Sequence, residues 1–185
     1  KARDVVVFIH DDVVCKNVKI VAKNQGNMIY LGSGCRLNNT SIAATGKQDF
    51  VIIGEGVSIT STTTITTGLS SGMSTNGVII GDHCLLASDV VIRASDGHLI
   101  LDQQTKQQLN KSNKPIVIEP YCWVGQRTAI LKNVTVGACS IISFGAVVTK
   151  SAPRFSLLAG IPAKIKDMTG KMWLRNQSKE AKAIL

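Results

Sequence analysis

The stretch 118–148, IEPYCWVGQRTAILKNVTVGACSIISFGAVV, carries an aliphatic residue at every sixth position: Ile118, Val124, Ile130, Val136, Ile142 and Val148. Four places after these come Cys122, Thr128, Val134, Ser140, Ala146 and Ala152, all small or β-branched. A helix would bring apolar residues back at i, i+3, i+4 and i+7, and a plain strand would alternate by two. A period of six fits neither as a continuous element. It fits a short strand followed by a corner, with one large and one small side chain pointing inward from each side. Stacked coil upon coil, such sides bury a continuous aliphatic column, which is the logic of a solenoid.

Working outward, the period recurs at Ile80, Leu86 and Ile92 and at Ile53, Ile59 and Ile65, with weaker echoes at Leu31 and Leu37 and at Val14 and Ile20. Gly stands second in several units (Gly32, Gly54, Gly81, Gly125, Gly137), where a corner free of a Cβ is expected. Cys35, Cys84 and Cys122 fall on the small inward place and read as core hydrophobes, not nucleophiles. The repeat breaks at 43–48, at 68–77 and at 98–115, the last a strongly polar HLILDQQTKQQLNKSNKP. Insertions in repeat proteins leave as loops on one face, often the binding face. The expected organisation is a mainly β repeat domain over 1–167 with loops near 68–77 and 98–115. A short basic C-terminal helix is expected over 168–185, where Met172, Leu174, Ala181 and Ile184 give a mixed helical pattern.

Composition agrees with a core of branched aliphatics: 185 residues, 44% apolar, only 4% aromatic. This balance excludes disorder, collagen and coiled coil. No run approaches the ~20 apolar residues of a membrane span. Val5 to Ile9 is too short for the apolar part of a signal peptide, and Asp11 and Asp12 follow it. The chain opens on Lys1, not Met, so residues are expected ahead of it. Five cysteines, with no Cys-x-x-Cys and no His/Cys cluster at zinc spacing, predict reduced thiols, a cytoplasmic setting and no metal. Of the net charge of +9, +6 lies from Lys150 onward. Such a field draws an anion, whether cofactor phosphates or an acidic glycan. Without aromatic interleaving or a nucleic-acid motif, nucleic acid is not the expected partner.

The hexads resemble those of the hexapeptide-repeat acyltransferases, which fold as a left-handed parallel β-helix of triangular section. The hand follows from the resemblance alone, since the general crossover rule favours the right. The most specific stretch is 141–166, IISFGAVVTKSAPRFSLLAGIPAKIK, which resembles the family's closing segment of Gly-x-Val-Val-Thr-Lys, a Pro-containing turn and Ala-Gly-x-Pro-Ala-Lys. It departs at Ser143-Phe144, where the family usually has Gly-Ala, and at Ser151-Ala152, where Asp-Val is common. The resemblance implies acetyl-CoA as co-substrate, a hydroxyl or amine as acceptor, and a homotrimer with active sites between neighbouring prisms. Arg93-Ala94-Ser95-Asp96-Gly97-His98, followed by Trp123 in YCWVG, is similar to bacterial capsule and polysialic acid O-acetyltransferases. There a histidine in such an Asp-x-His segment and a tryptophan about one coil later serve the chemistry.

Acetyl transfer from a thioester to a hydroxyl needs a base, a donor for the developing oxyanion and a groove that holds the thioester near the acceptor. Of the three histidines, His10 lies in a poorly periodic strand and His83 at a hexad corner, whereas His98 stands where the repeat breaks into a loop. His98 is therefore the expected base, with Asp96 preferred over Asp102 as the carboxylate that orients it. Trp123, placed to point outward, offers a donor-only indole N–H; a ring packed at a trimer contact is the other reading. Arg93 and Tyr121 are candidates for holding the sugar, or ordinary surface groups. For acetyl-CoA, backbone around Gly145, Ala146 and Gly160-Ile161-Pro162-Ala163 is expected to meet the pantetheine amides, and Lys150 and Lys164 the phosphates. Of these, Lys164 matches the family's Pro-Ala-Lys directly.

Three rivals share the fold. A zinc carbonic anhydrase needs three converging histidines, and only His83 and His98 lie within reach of each other in sequence. An ice-binding face needs ranks of threonine over several coils, and 59–67, ITSTTTITT, supplies one. A non-catalytic scaffold would have no use for His98, Trp123 and the Pro-Ala-Lys turn together. The expectation is an O-acetyltransferase acting on a sugar or surface polysaccharide, with an amine acceptor as the alternative.

Overall fold

The computed structural model of the chain describes residues 4–68 and 76–175. The strands come in threes. The first coil is β1 (Val6–Ile9), β2 (Val14–Lys16) and β3 (Lys19–Ala22), and the second is β4 (Met28–Leu31), β5 (Arg36–Asn38) and β6 (Thr40–Ala44). The third is β7 (Phe50–Ile53), β8 (Ser58–Ile59) and β9 (Thr63–Thr66), and the fourth β10 (Gly77–Ile80), β11 (Leu85–Leu86) and β12 (Val91–Arg93). The fifth is β13 (Ile116–Ile118), β14 (Trp123–Val124) and β15 (Ala129–Leu131), and the sixth β16 (Thr135–Val136), β17 (Ile141–Ile142) and β18 (Val147–Val148). A last hairpin, β19 (Ser156–Ala159) and β20 (Lys164–Asp167), closes the stack.

Each strand pairs in parallel with its counterpart one coil away, giving a first face β1-β4-β7-β10-β13-β16, a second face β2-β5-β8-β11-β14-β17-β19-β20 and a third face β3-β6-β9-β12-β15-β18. Only β19 with β20 is antiparallel among these strand pairs. The chain is a left-handed parallel β-helix, a three-sided prism whose edges join the faces in chain order.

The six-residue columns form the core. Ile53, Ile80, Ile118 and Val136 sit above one another in the first face. Leu86, Val124 and Ile142 do so in the second, and Ile92, Ile130 and Val148 in the third. All ten are buried, as are Cys35, Cys84 and Cys122. The second-place glycines are corners with no room for a Cβ, as expected. Their φ angles are ordinary; the coils simply approach too closely for a Cβ, which at Gly81 would lie 2.6 Å from Pro120 N and at Gly125 2.7 Å from Ile142 O. The left-handed corner positions fall two residues later, and His83 (φ 58°), Tyr121 (φ 60°) and Cys139 (φ 58°) occupy them.

Both longer excursions leave from the third edge, between the third and first faces. At one, the loop expected over 68–77 lies largely outside the described residues, and Asp49 ties Thr67 on one side of it to Asn76 on the other. The buried Asp49 carboxylate accepts the Thr67 hydroxyl (2.5 Å), the Asn76 N–H (2.9 Å) and the Gly46 N–H (2.7 Å). The other runs from Ala94 to Pro115 between β12 and β13. Among the described residues, no coil lies beneath the first. Val7 and Ile9 pair with the fully buried Ile29 and Leu31, yet remain 45% and 42% exposed.

The expected C-terminal helix is not seen. Lys164–Asp167 instead pairs with the free edge of β19, and the Asp167 carboxylate accepts the Thr169 N–H (3.0 Å) and hydroxyl (2.7 Å), turning the chain. Lys171 N–H closes a single turn onto Met168 O (2.8 Å), and residues 172–175 follow the first edge, where Trp173 and Arg175 donate to corner carbonyls. The rest of the expected helix, 176–185, lies outside the described residues.

Candidate active site

The excursion 94–115 is tied at its root and along its length. The Ser112 hydroxyl donates to Ala94 O (2.7 Å), Leu109 N–H to Ile100 O (2.8 Å), and Leu101 and Gln108 form an antiparallel bridge. Asn110 is the clasp: its amide donates to His98 O (2.8 Å) and to the Asp96 carboxylate (2.8 Å), and its Oδ1 accepts the Ile100 N–H (2.9 Å). His98 is exposed, and among the described residues no side chain or backbone group bonds its ring.

Neither carboxylate expected to orient His98 does so in the protomer. Asp96 forms an ion pair with Lys132, which also donates to Asn110 O (2.9 Å). The Lys132 hydrogen bond, helped by Asn110, holds the Asp96 carboxyl below its ordinary pKa. Asp102 caps its own turn, accepting Thr105 N–H (2.6 Å), Gln104 N–H (3.0 Å) and the Thr105 hydroxyl (2.9 Å). The Thr105 backbone bond lowers its pKa as well. Arg93, at the end of β12, folds onto the same loop and donates to Ser95 O (3.0 Å).

Trp123 opens β14 on the outside of the second face, 40% exposed beside the buried Val124. Tyr121, two residues earlier, occupies the first edge with its ring 5.1 Å from that of His83. The second face lies opposite the third edge in a three-sided prism, so one protomer keeps Trp123 and Tyr121 apart from His98, Asp96 and Arg93.

A third group sits at the second edge, between the second and third faces. Val147 N–H donates to Gly160 O (3.1 Å) and Ala163 N–H to Val147 O (2.8 Å), drawing Gly145 and Ala146 against the turn Gly160–Ala163. That turn contains a cis Ile161–Pro162 peptide and exposes 76% of Ile161. A Cβ at Gly145 would meet no atom within 4 Å, so the corner is an open shelf. Lys164 begins β20 beside it; Lys150 lies past β18, towards the third edge. Among the described residues, the outer margin of β20 has no partner strand, leaving backbone groups for an extended ligand.

Sequence reasoning missed Lys132, Asn110, Trp173 and Arg175. Lys132 was within reach: β12 and β15 place Arg93 against Leu131, so the residue after Leu131 must lie beside the start of the excursion. Trp173 and Arg175 left no such signal, because their partners are 52 and more residues away. Among the described residues, no group of three His, Cys, Asp or Glu is placed to hold a metal, and no helix is long and apolar enough to cross a membrane.

No family model matches the sequence. Over 88 residues, 48% of this chain, it is 41% identical to a polysialic acid O-acetyltransferase from Escherichia coli O1:K1 / APEC, of which that match covers 28%. The crystal structure of the polysialic acid O-acetyltransferase OatWY superposes with a TM-score of 0.72 at 21% identity, covering 97% of this chain and 92% of that one. The chain is a hexapeptide-repeat β-helix, and its relatives are acetyltransferases. AntD, an N-acyltransferase from Bacillus cereus solved with dTDP and 3-hydroxybutyryl-CoA, has the same fold (TM-score 0.63, 19% identity, 87% of this chain and 82% of that one). The chain spans less than half the length of the curated relatives it matches.

Proposed function

We propose that this chain is an acetyl-CoA-dependent O-acetyltransferase that modifies a hydroxyl of a sugar or surface polysaccharide, working as a homotrimer in the cytoplasm. The observation that carries the reading is an imidazole held out, with its ring free, on a loop whose backbone is clasped. A base must be presented to a substrate proton, and a rigid backbone under an unengaged ring does so. The likeness to a polysialic acid O-acetyltransferase supports the same chemistry.

In this reading His98 takes the proton of the acceptor hydroxyl as its oxygen attacks the thioester carbon, then returns it to the departing thiolate. The Trp123 indole N–H donates to the carbonyl oxygen on which negative charge develops, a stabilisation worth most where water is excluded. Because His98 and Trp123 lie on opposite sides of one prism, the site joins the third edge of one protomer to the second face of its neighbour. The shelf at Gly145, Ala146 and Gly160–Ala163 holds the pantetheine arm, with Lys164 and Lys150 towards the phosphates. Arg93 and Tyr121 flank the acceptor from the two protomers. Asp96 orients the loop through Asn110 and Lys132 and touches the ring only indirectly.

The test is thermal melting with and without acetyl-CoA, together with thiol release in the presence of polysialic acid, neutral sugars and amino sugars. Acetyl-CoA at 100 times its dissociation constant stabilises the fold by ~2.7 kcal/mol. His98→Ala is expected to keep that shift and lose roughly 100- to 10,000-fold in turnover. No melting shift with acetyl-CoA, or full turnover by the variant, would sink the reading; preference for an amino sugar would move it to N-acetyl transfer.

A further inference from the structure

Trp123 stands on the outside of a two-residue strand, between Leu85 and Ile141 of the neighbouring coils. It is 40% exposed. The one aromatic contact it makes among the described residues is with Trp173, ring centroids 6.1 Å apart and planes at 43°. Trp173 is in turn held: its Nε1–H donates to Tyr121 O (2.8 Å), at the corner that leads into β14. Two residues on, the Arg175 guanidinium donates to Gly56 O (3.1 Å) and Cys84 O (3.0 Å), carbonyls belonging to two lower coils. The strap 171–175 thus runs back down the first edge. It does not lie flat: a cavity of about 390 Å³ separates it from the edge, lined by His83, Tyr121, Cys139, Met172 and Leu174 besides these two residues. Beside that cavity, Trp173 is braced against Trp123.

We propose that Trp173 and Arg175 are positioning residues that fix the plane of the Trp123 indole. Trp173 does so by ring contact, and Arg175 by anchoring the strap that carries Trp173. The inference rests on the role given to Trp123 above. Donor alignment at a developing charge is sensitive to displacement, so freeing the indole lowers turnover without touching the acetyl-CoA shelf on another edge.

The chain has only two tryptophans, so the exciton couplet of paired indoles in circular dichroism reports this contact alone. The experiment compares the full chain with W173A, W173F and R175A, measuring the couplet, and kcat and KM for acetyl-CoA with polysialic acid as acceptor. W173A is expected to lose the couplet and roughly tenfold to a hundredfold in kcat with KM for acetyl-CoA unchanged. W173F, which keeps a ring against Trp123, restores most of kcat, and R175A weakens couplet and kcat together. Absence of the couplet from the unaltered protein, or full kcat in W173A, overturns the brace. Should W173A not fold, R175A decides: undiminished kcat with a weakened couplet overturns it equally. An unaltered protein that shows the couplet but moves no acetyl group to any acceptor overturns the acetyl-transfer reading itself, a different result from an active enzyme indifferent to Trp173.

Discussion

Two glycines illustrate opposite demands on the same residue. At Gly125 the neighbouring coil presses in: a methyl would lie 2.7 Å from both Ile142 O and Phe144 N, all of it backbone that can yield only by shifting a coil. Gly125→Ala is expected to destabilise by roughly 1–3 kcal/mol in urea unfolding, as overpacking does. Gly145 has open space but a φ of 69°, so Gly145→Ala costs roughly 1 kcal/mol of backbone strain. Calorimetric titration with acetyl-CoA separates them: affinity falls in the Gly145 variant and stays in the folded fraction of the Gly125 variant. The aliphatic at each sixth place was legible because burial on a prism has that period. That the glycine beside it leaves room was legible too; which backbone atoms of the next coil fill that room was not, because the distance between coils is written in no single repeat.

The excursions are held by side chains whose effects are separable. Asp49 gathers both ends of the segment between Thr67 and Asn76, and Asp49→Ala leaves buried donors at Gly46 and Asn76 unpaired. A loss of about 2–4 kcal/mol is expected from the unfolding midpoint, with Asp49→Asn, which keeps one acceptor oxygen, losing less. The His98 excursion depends on Asp96, whose pKa is lowered by the Lys132 hydrogen bond and then by Asn110. A carboxylate with a lowered native pKa stabilises fully above its ordinary value and loses that contribution as pH falls through the native one. The protection factor of the Ile100 amide, bonded to Asn110 Oδ1 and corrected for the intrinsic pH dependence of exchange, is therefore expected to be flat from neutral to weakly acid pH and to fall below the ordinary carboxylate range. Lys132→Met should raise that onset towards the ordinary range; an unchanged onset would dissociate the ion pair from the loop. The break in the hexads announced this excursion, but its clasp joins residues from 96 to 132, and no local pattern pairs them. The C-terminal helix misled for a related reason: the mixed pattern of Met172, Leu174, Ala181 and Ile184 reads as helical only if nothing outside the segment competes, and over 168–175 the free margin of β19 and the corner carbonyls do compete.

Across the whole molecule, each group of candidate residues has its own part of the prism. The two excursions share the third edge, the glycine shelf occupies the second, and the strap with its tryptophan lies along the first. Parallel pairing at fixed six-residue spacing supports all of them, and its columns continue unbroken past every departure point. A change of length in either excursion therefore shifts no residue of the stack. Lineages built on such a prism can lengthen, shorten or exchange what hangs from one margin by insertion and deletion, while the opposite margin is inherited unaltered. In the proposed reading, such changes bear on the acceptor, which the third edge meets, and leave the grip on the coenzyme at the second edge as it was.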